Sequence, residues 1–167
     1  MLGLLAKPVA KILSFPPVAN WIISKYTTDE NMFYHLPGYM HRWWLFNPRS
    51  IETNEAKYPW IPFSIRLHHI LRKDNDRHLH SHPFNARTFI IKSWYIELRE
   101  NGKFHVRQKG STAYLSTEDF HAIVEVPHGG VWTIFVCGKR EQDWGFLVGG
   151  KVVTAKEYLQ EHHRNRS

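Results

Sequence analysis

Between positions 64 and 148, short runs rich in β-branched and aromatic residues alternate with turn-forming residues. Such runs suit the pleated, half-buried surface of a β-strand. The Asn101-Gly102 pair is typical of a two-residue hairpin turn. The spacing predicts an all-β sandwich or closed barrel, with strands at 64–73, 87–98, 103–108, 112–115, 121–126, 131–137 and 144–148.

A helical signal follows this region. Thr154 and Glu157 have the spacing of a capping box, in which each side chain bonds the backbone N–H of the other residue. We therefore predict a helix through Tyr158 and Leu159 that leads into a basic tail. The chain divides into an N-terminal arm at 1–57, a β-barrel domain at 58–150, and a C-terminal helix with its tail at 151–167.

The N-terminal arm is apolar, but its pattern is not that of a membrane span. Pro8, Pro16 and Pro17 interrupt the apolar run, and Lys7 and Lys11 lie inside it. No stretch approaches the ~20 apolar residues that cross a bilayer. We expect Pro17 to open a helix, and the arm to pack on the domain or on the partner of a homodimer. A short helix in a membrane interface is the alternative.

Residues 27–64 are rich in aromatic side chains and are interrupted by prolines and a glycine. We expect an irregular segment that covers the core. Trp43, Trp44 and Phe46 serve as packing mass in this interpretation, since large aromatic side chains mostly contribute buried area. A stacking platform for bases or sugars is the alternative.

Composition indicates a globular protein, with 167 residues of which 43% are hydrophobic and 22% charged. The single cysteine, Cys137, excludes a disulfide within the chain, so a reducing cytoplasm is the expected location. The net charge of +7, from 22 basic and 15 acidic residues, favours anionic partners. Nucleic acid is the less favoured partner because no run of basic residues forms an arm.

Histidines at positions 78, 80 and 82 are the strongest chemical signal. On a strand, side chains alternate between faces, so His80 and His82 point to the same side. Two imidazoles placed in this way can hold one zinc, copper, iron or nickel ion. We expect His78 at the rim of the site and His128 in a turn.

The motif LHSHPF, the following strand that ends in WYIE, and the later His121 resemble the two metal-binding motifs of the cupin superfamily. Together with WTIFVCGKREQDWGF, they are most similar to small bacterial and phage cupin-like proteins of unassigned activity. The run IL…LHSH…FIIK is more distantly similar to thiol oxygenases of the cysteine dioxygenase type. The resemblance covers residues 64–148.

This resemblance implies a double-stranded β-helix that holds one divalent transition metal ion through His80, His82 and His121. Many cupins carry a glutamate four or five residues after the second histidine, where this chain has Ala86 and Arg87. The implied site therefore has three histidines, with iron favoured and nickel or zinc as alternatives. Glu97 lies too far along the chain for the missing position.

Three neutral ligands leave the charge of the metal uncompensated, which favours a small anionic molecule. Arg66, Arg72, Arg77 and Arg87 flank the motif, and the first two share a strand face with His68. Surface charges on a sheet edge are the alternative for these arginines. Either Tyr95 or Trp94 can face the cavity, depending on the strand register. We therefore propose as substrate-binding candidates the residues Arg66, Arg72, Arg87 and Tyr95.

Two functions are consistent with this sequence. One is an iron-dependent oxygenase that acts on a small anionic molecule. The other is a non-catalytic cupin that binds a small ligand or a partner protein. A metal-dependent isomerase would need a positioned acid–base pair, which the sequence does not reveal.

Overall fold

The computed structural model describes residues 3–33, 35–50, 52–53, 55–75 and 78–164, with the backbone alone for 161–164. Arg77 and the end of the basic tail, from residue 165, lie outside these residues. The described residues form the helices α1 (Ala6–Leu13), α2 (Pro16–Tyr26) and α3 (Ala155–Arg164). They also form ten strands: β1 (Met40–Phe46), β2 (Ser64–Ile70), β3 (Ala86–Lys92), β4 (Trp94–Arg99), β5 (Phe104–Gln108), β6 (Thr112–Leu115), β7 (His121–Glu125), β8 (Val131–Cys137), β9 (Gly145–Val148) and β10 (Lys151–Thr154).

The strands make two layers around one cavity. The first layer is a five-stranded antiparallel sheet in the order β1-β2-β8-β3-β6. The second contains the three-stranded sheet β5-β4-β7 and the hairpin β9-β10. His80 joins these two parts, because it forms isolated antiparallel bridges with His121 on β7 and Phe146 on β9. Side chains from both layers line the cavity, and the all-β prediction is confirmed.

Helices α1 and α2 cover the outer face of the five-stranded sheet. Ala10 and Ile22 on these helices belong to one buried cluster with Leu67 on β2. Arg66 and His68 lie on either side of Leu67 along the strand. Because strand side chains alternate between faces, these two point to the cavity instead. The alternation thus separates an apolar helix-facing side of β2 from a polar cavity-facing side.

The irregular segment predicted at 27–64 is wrong for Met40–Phe46, which forms the edge strand β1 and pairs with β2. Trp43 packs in the helix-facing cluster and stacks on Trp132 at 5.7 Å between ring centroids. Trp44 lies beneath the guanidinium of Arg66, with 4.6 Å from Cζ to the ring centroid. Both faces of this strand are covered, so large aromatic residues follow one another and no alternation is visible in the sequence.

The single strand predicted at 87–98 is interrupted at Ser93, which has a positive φ of 71°. The chain turns there from the five-stranded sheet into the second layer. This corner brings Tyr95 and Glu97 of β4 beside β7, the strand that begins with His121.

The capping box predicted before the C-terminal helix is confirmed. The Thr154 N–H donates to Oε2 of Glu157 at 3.2 Å, and the Glu157 N–H donates to Oγ1 of Thr154 at 3.3 Å. Residues just before it, at 151–154, form the strand β10, which the sequence analysis did not predict. Within the part of the chain that the structure describes, no helix has the length and apolar character needed to cross a membrane.

Candidate metal centre

The three histidines predicted as ligands lie together in the wall of the cavity. His80 and His121 are direct backbone partners, with N–H···O distances of 2.9 and 3.0 Å. Ser81 between them pairs with Gly145 at the start of β9: its N–H donates to the Gly145 carbonyl oxygen at 2.9 Å, and its Oγ accepts the Gly145 N–H at 3.2 Å. The chain at 80–82 is held between β7 and β9, so the period-two alternation aims His80 and His82 into the cavity.

The donor atoms of this histidine cluster fit one metal ion. They all lie within 4.8 Å of one another, and Nε2 of His82 is 2.9 Å from Nε2 of His121. Two imidazole nitrogens that bind one ion at about 2.0–2.1 Å and at right angles are separated by about 2.9 Å. An all-nitrogen donor set suits zinc, copper, iron or nickel. No carboxylate of the described residues belongs to the cluster.

Glu97 supports the site from behind His121. Its carboxylate is fully buried and accepts a hydrogen bond from Nδ1–H of His121 at 2.8 Å. Arg107 donates to it through Nε and a terminal nitrogen, both at 2.7 Å, and Nε of Arg99 lies 3.0 Å away. With its proton on Nδ1, His121 presents the lone pair of Nε2 to the cavity, as a metal ligand must.

The ionised state of Glu97 is strongly favoured. Burial raises the pKa of this carboxyl, but the hydrogen bond and charge of His121 and the charges of Arg107 and Arg99 outweigh burial and lower the pKa to about 2. From the sequence, Glu97 is weighed only as a metal ligand. The alternation of β4 could have indicated that Glu97 lies near the site, because Tyr95 and Glu97 share one strand face.

Asp74 is a second carboxylate beside the histidines, and the sequence analysis did not select it. Its Oδ2 lies 3.7 Å from Nδ1 of His80 and accepts the N–H of Ile123 at 2.7 Å. Its Oδ1 accepts the hydroxyl of Tyr39. Asp74 thus lies beside His80 as Glu97 lies beside His121, although at a longer distance.

Burial favours the neutral form of His80 and His82. It lowers the pKa of His80 to about 4, with a further decrease from His121 that Asp74 and Glu97 partly offset. The pKa of His82 is lowered well below its usual value by burial, and further by His121 and His80. Neutral imidazole is the form that binds a metal ion.

We predict that the metal-free protein loses stability as the pH falls from 6.5 toward 4. Unfolded histidine binds its proton near pH 6.5, whereas folded His80 binds one only near pH 4. Between these values the unfolded state carries more protons, so acidification favours unfolding. His80 alone accounts for about 3 kcal/mol over this range. Urea unfolding in the presence of a chelator at pH 7.5, 6 and 5 measures the effect.

The matched control for this prediction is His128→Gln, because His128 is exposed in the turn between β7 and β8. This variant should keep the pH profile of the wild type, whereas His80→Gln should make the profile less steep. A wild-type profile that is level from pH 7.5 to 5 would contradict the prediction.

The cavity between the two layers has a volume of about 610 Å³ and reaches from the histidines to the polar face of β2. Phe84 and Phe135 lie in its wall together with the histidines. A volume of this size accommodates a small organic molecule.

The predicted substrate-binding residues fall into two groups. Arg66 and Tyr95 line the cavity, where both are buried. Arg72 does not line it, because β2 ends at Ile70 and the Arg72 side chain donates to the carbonyl oxygen of Gly38 at 3.0 Å. Arg87 is also outside the lining, and its guanidinium lies 5.4 Å from the ring centroid of Tyr114.

Other predicted positions can be located as well. His78 is outside the cavity lining, and its Nδ1 lies 3.0 Å from the hydroxyl of Tyr158. Cys137 is buried at the end of β8.

Burial and the charge of Glu97 raise the pKa of Tyr95, so its hydroxyl keeps its proton at neutral pH.

The fold is a β-barrel, and its cavity holds a three-histidine group that could bind a metal ion. No protein-family model and no curated protein sequence matches the chain. Several solved structures are similar to it in fold. Ectoine synthase from P. lautus has a TM-score of 0.53 at 9% identity, over 71% of this chain and 76% of that one. A chain from the crystal structures of the DMSP lyases RdDddP and RnDddQII gives a TM-score of 0.51 at 11% identity, over 79% of this chain and 72% of that one.

A cupin 2 conserved barrel domain protein from Rhodopseudomonas palustris has a TM-score of 0.49 at 10% identity, over 81% of this chain and 83% of that one. At such identities the likeness concerns the fold alone. The chain shares the barrel fold of ectoine synthase and DMSP lyase, and the predicted all-β fold is confirmed. Membership of the cupin superfamily stays what the histidine motifs imply.

Proposed function

We propose that the protein binds one divalent transition metal ion through His80, His82 and His121 and is an oxygenase that acts on a small anionic molecule. The observation that carries this proposal is the convergence of three imidazoles on an open cavity. Iron is the favoured ion, with nickel or zinc as alternatives, since imidazole ligands accept all three. A cytoplasmic location and a homodimer stay predictions.

No acidic side chain of the described residues joins the three histidines, which supports an anionic substrate. Three neutral ligands leave a bound divalent ion with its full charge, and such an ion would polarise and activate small molecules in its open positions. Glu97 holds His121 in the ligand-ready tautomer, and Arg66 supplies a positive charge in the same cavity. Phe84 and Phe135 make part of the wall apolar, which limits the access of water to bound substrate.

The similar structures do not select the reaction. Their names, ectoine synthase and DMSP lyase, describe different reactions on one fold. A shared scaffold therefore supports the presence of a site but gives no substrate.

Oxygen uptake by metal-loaded protein tests this proposal. The purified chain is loaded anaerobically with ferrous iron or with zinc, which has no redox chemistry of its own, and is mixed with small thiols and carboxylic acids. We expect oxygen consumption that requires both iron and one of the compounds. The His82→Ala variant should show none.

The alternative function is a cupin that binds its ligand without catalysis. It would be favoured if one compound bound the iron-loaded protein and no oxygen were consumed. A chain that takes up no metal would contradict the proposal itself.

A further inference from the structure

We propose that Arg66 and His68 form a carboxylate-binding subsite, set apart from the metal ligands by a pair of phenylalanine rings. The ligand class is a carboxylic acid with an aromatic or branched apolar body. This inference deepens the proposed function and rests on it for the end of the ligand that faces the histidines. Neither residue of the subsite is one of the proposed metal ligands.

Arg66 is a buried cation whose Nε lacks a hydrogen-bond partner among the described residues. Its residue exposure is 9%, and it faces the cavity from β2. Aromatic rings surround the guanidinium, with Cζ at 4.6 Å from Trp44, 4.9 Å from Phe33 and 5.6 Å from Phe84. None of the ion pairs among the described residues includes Arg66. Buried charges in proteins are normally paired.

His68 lies two residues along the same strand face and repeats this feature. It is 7% exposed, and its Nε2 is buried without a hydrogen-bond partner in the described part of the chain. Its ring stacks on Phe135 at 5.1 Å. Burial, together with the charges of Arg66 and Arg42, lowers the pKa of His68 well below its usual value, so the imidazole is neutral. A neutral imidazole with its proton on Nε2 donates one hydrogen bond.

These two unpartnered groups match a carboxylate. A guanidinium and one neutral donor can each bond one oxygen of a planar monoanion, and charge-assisted bonds of this kind are among the strongest in proteins. Arg66 is the only buried cation among the described residues of the cavity lining, because Arg42 is half-buried and Arg140 is exposed, so a monoanion matches it better than a phosphate dianion does. The other charged groups of the cavity lining are Arg42, Arg140 and Asp74, and Asp74 lies beside His80.

The apolar body of the ligand follows from what lies between the two ends. Phe84 stacks on His82, with 6.0 Å between centroids, and also lies under Arg66. Phe135 lies 5.7 Å from His82 and also stacks on His68. A ligand that reaches both the cation and the histidines must cross these two rings. Contact with them favours an aromatic or branched body over a short polar one.

Calorimetric titration of the full chain with 3-phenylpropionate tests the subsite. The neutral 3-phenylpropionamide and acetate are the comparison probes, and metal-free and zinc-loaded protein are titrated in parallel. We expect 3-phenylpropionate to bind the metal-free protein at least about tenfold more tightly than either comparison probe, since the amide lacks the charge and acetate lacks the apolar body.

Arg66→Met is the decisive variant, with Arg87→Met as its matched control outside the cavity. Arg66→Met should weaken 3-phenylpropionate binding at least about tenfold and leave the weak amide binding unchanged. Its melting temperature should not fall, because an apolar side chain of similar length replaces an unpaired buried charge. Arg87→Met should bind as the wild type does. His68→Phe, which keeps the ring, should also weaken binding.

Several results would overturn the subsite. One is equal binding of acid and amide by the wild type. Another is acid binding that appears only with zinc and is unchanged in Arg66→Met, which would place the carboxylate on the metal. If Arg66→Met does not fold, the wild-type preference for acid over amide and the His68→Phe titration still decide. If the chain binds 3-phenylpropionate but no metal, the proposed function fails while the subsite stands.

Discussion

Replacing His82 with alanine should abolish metal binding, which in the wild type should reach about one ion per chain. His82 contributes one of the three ligand atoms, with its Nε2 2.9 Å from that of His121 and its ring 5.4 Å from the ring of His80. Without it two imidazoles remain, which is too few to close a site. Elemental analysis after loading with iron, nickel or zinc measures the loss.

Thermal unfolding gives a second measurement of the same loss. A metal present at about 100 times its dissociation constant stabilises the folded chain by about 2.7 kcal/mol. For a domain of this size that corresponds to a rise of about 5–10 °C in melting temperature. We expect this rise in the wild type and none in His82→Ala.

The control for this prediction is His128→Ala, because His128 is an exposed turn residue. It should retain both the bound ion and the thermal shift. A full equivalent of metal in His82→Ala would show that the histidine cluster is not the binding site. A wild type that neither binds metal nor changes its melting temperature would show that no such site exists.

The shared orientation of His80 and His82 could be predicted because its signal is local. Period-two alternation places His80 and His82 on one side whenever the chain is extended. The pairing of His80 with His121 is a contact across 41 residues, and only the resemblance to the cupin motifs linked the two. The sequence alone does not set the register of such distant strands.

The substrate-binding candidates show where local reasoning fails. Arg66 and His68 share the cavity-facing side of β2, as alternation predicts. Arg72 was assigned to the same face, but β2 ends at Ile70 and the alternation ends with it. The side on which Arg87 lies depends on which face of β3 meets the cavity, and Thr88 takes that face instead.

The position of Glu97, the carboxylate that binds His121, was harder still to predict. Glu97 reaches His121 because the chain turns at Ser93 and moves β4 into the second layer. A positive φ at a serine leaves no reliable mark in a sequence that reads as one continuous strand. The two arginines that bind Glu97 come from β4 itself and from β5, which is its hairpin partner.

Replacing Glu97 with glutamine should have the largest effect on stability. Glutamine keeps the shape of the side chain but removes the charge that Arg99 and Arg107 share, and its amide N–H₂ meets their donors. Breaking a buried ion pair from one side costs about 3–5 kcal/mol. We expect the loss of unfolding free energy to lie near the lower end of this range, because the side chains of Arg99 and Arg107 are still 13% and 19% exposed. Urea unfolding of the metal-free protein at pH 7 measures this loss.

The same variant should weaken metal binding by about 10–100-fold, since His121 loses the carboxylate that fixes its tautomer. Titration of the folded variant with zinc measures the affinity separately from stability. Glu100→Gln is the matched control, because Glu100 is exposed at the end of the same strand and should change neither quantity.

Acid dependence identifies the carboxylate as the cause. The pKa of Glu97 is lowered from 4.5 to about 2 in the folded chain, so its stabilisation is complete above pH 4.5 and is lost as the pH falls toward 2. The difference in unfolding free energy between wild type and Glu97→Gln should therefore be constant from pH 7 to 5 and shrink below pH 4.5. A difference that stays constant down to pH 3, or a variant as stable as Glu100→Gln, would show that the charge of Glu97 does not hold this part of the barrel together.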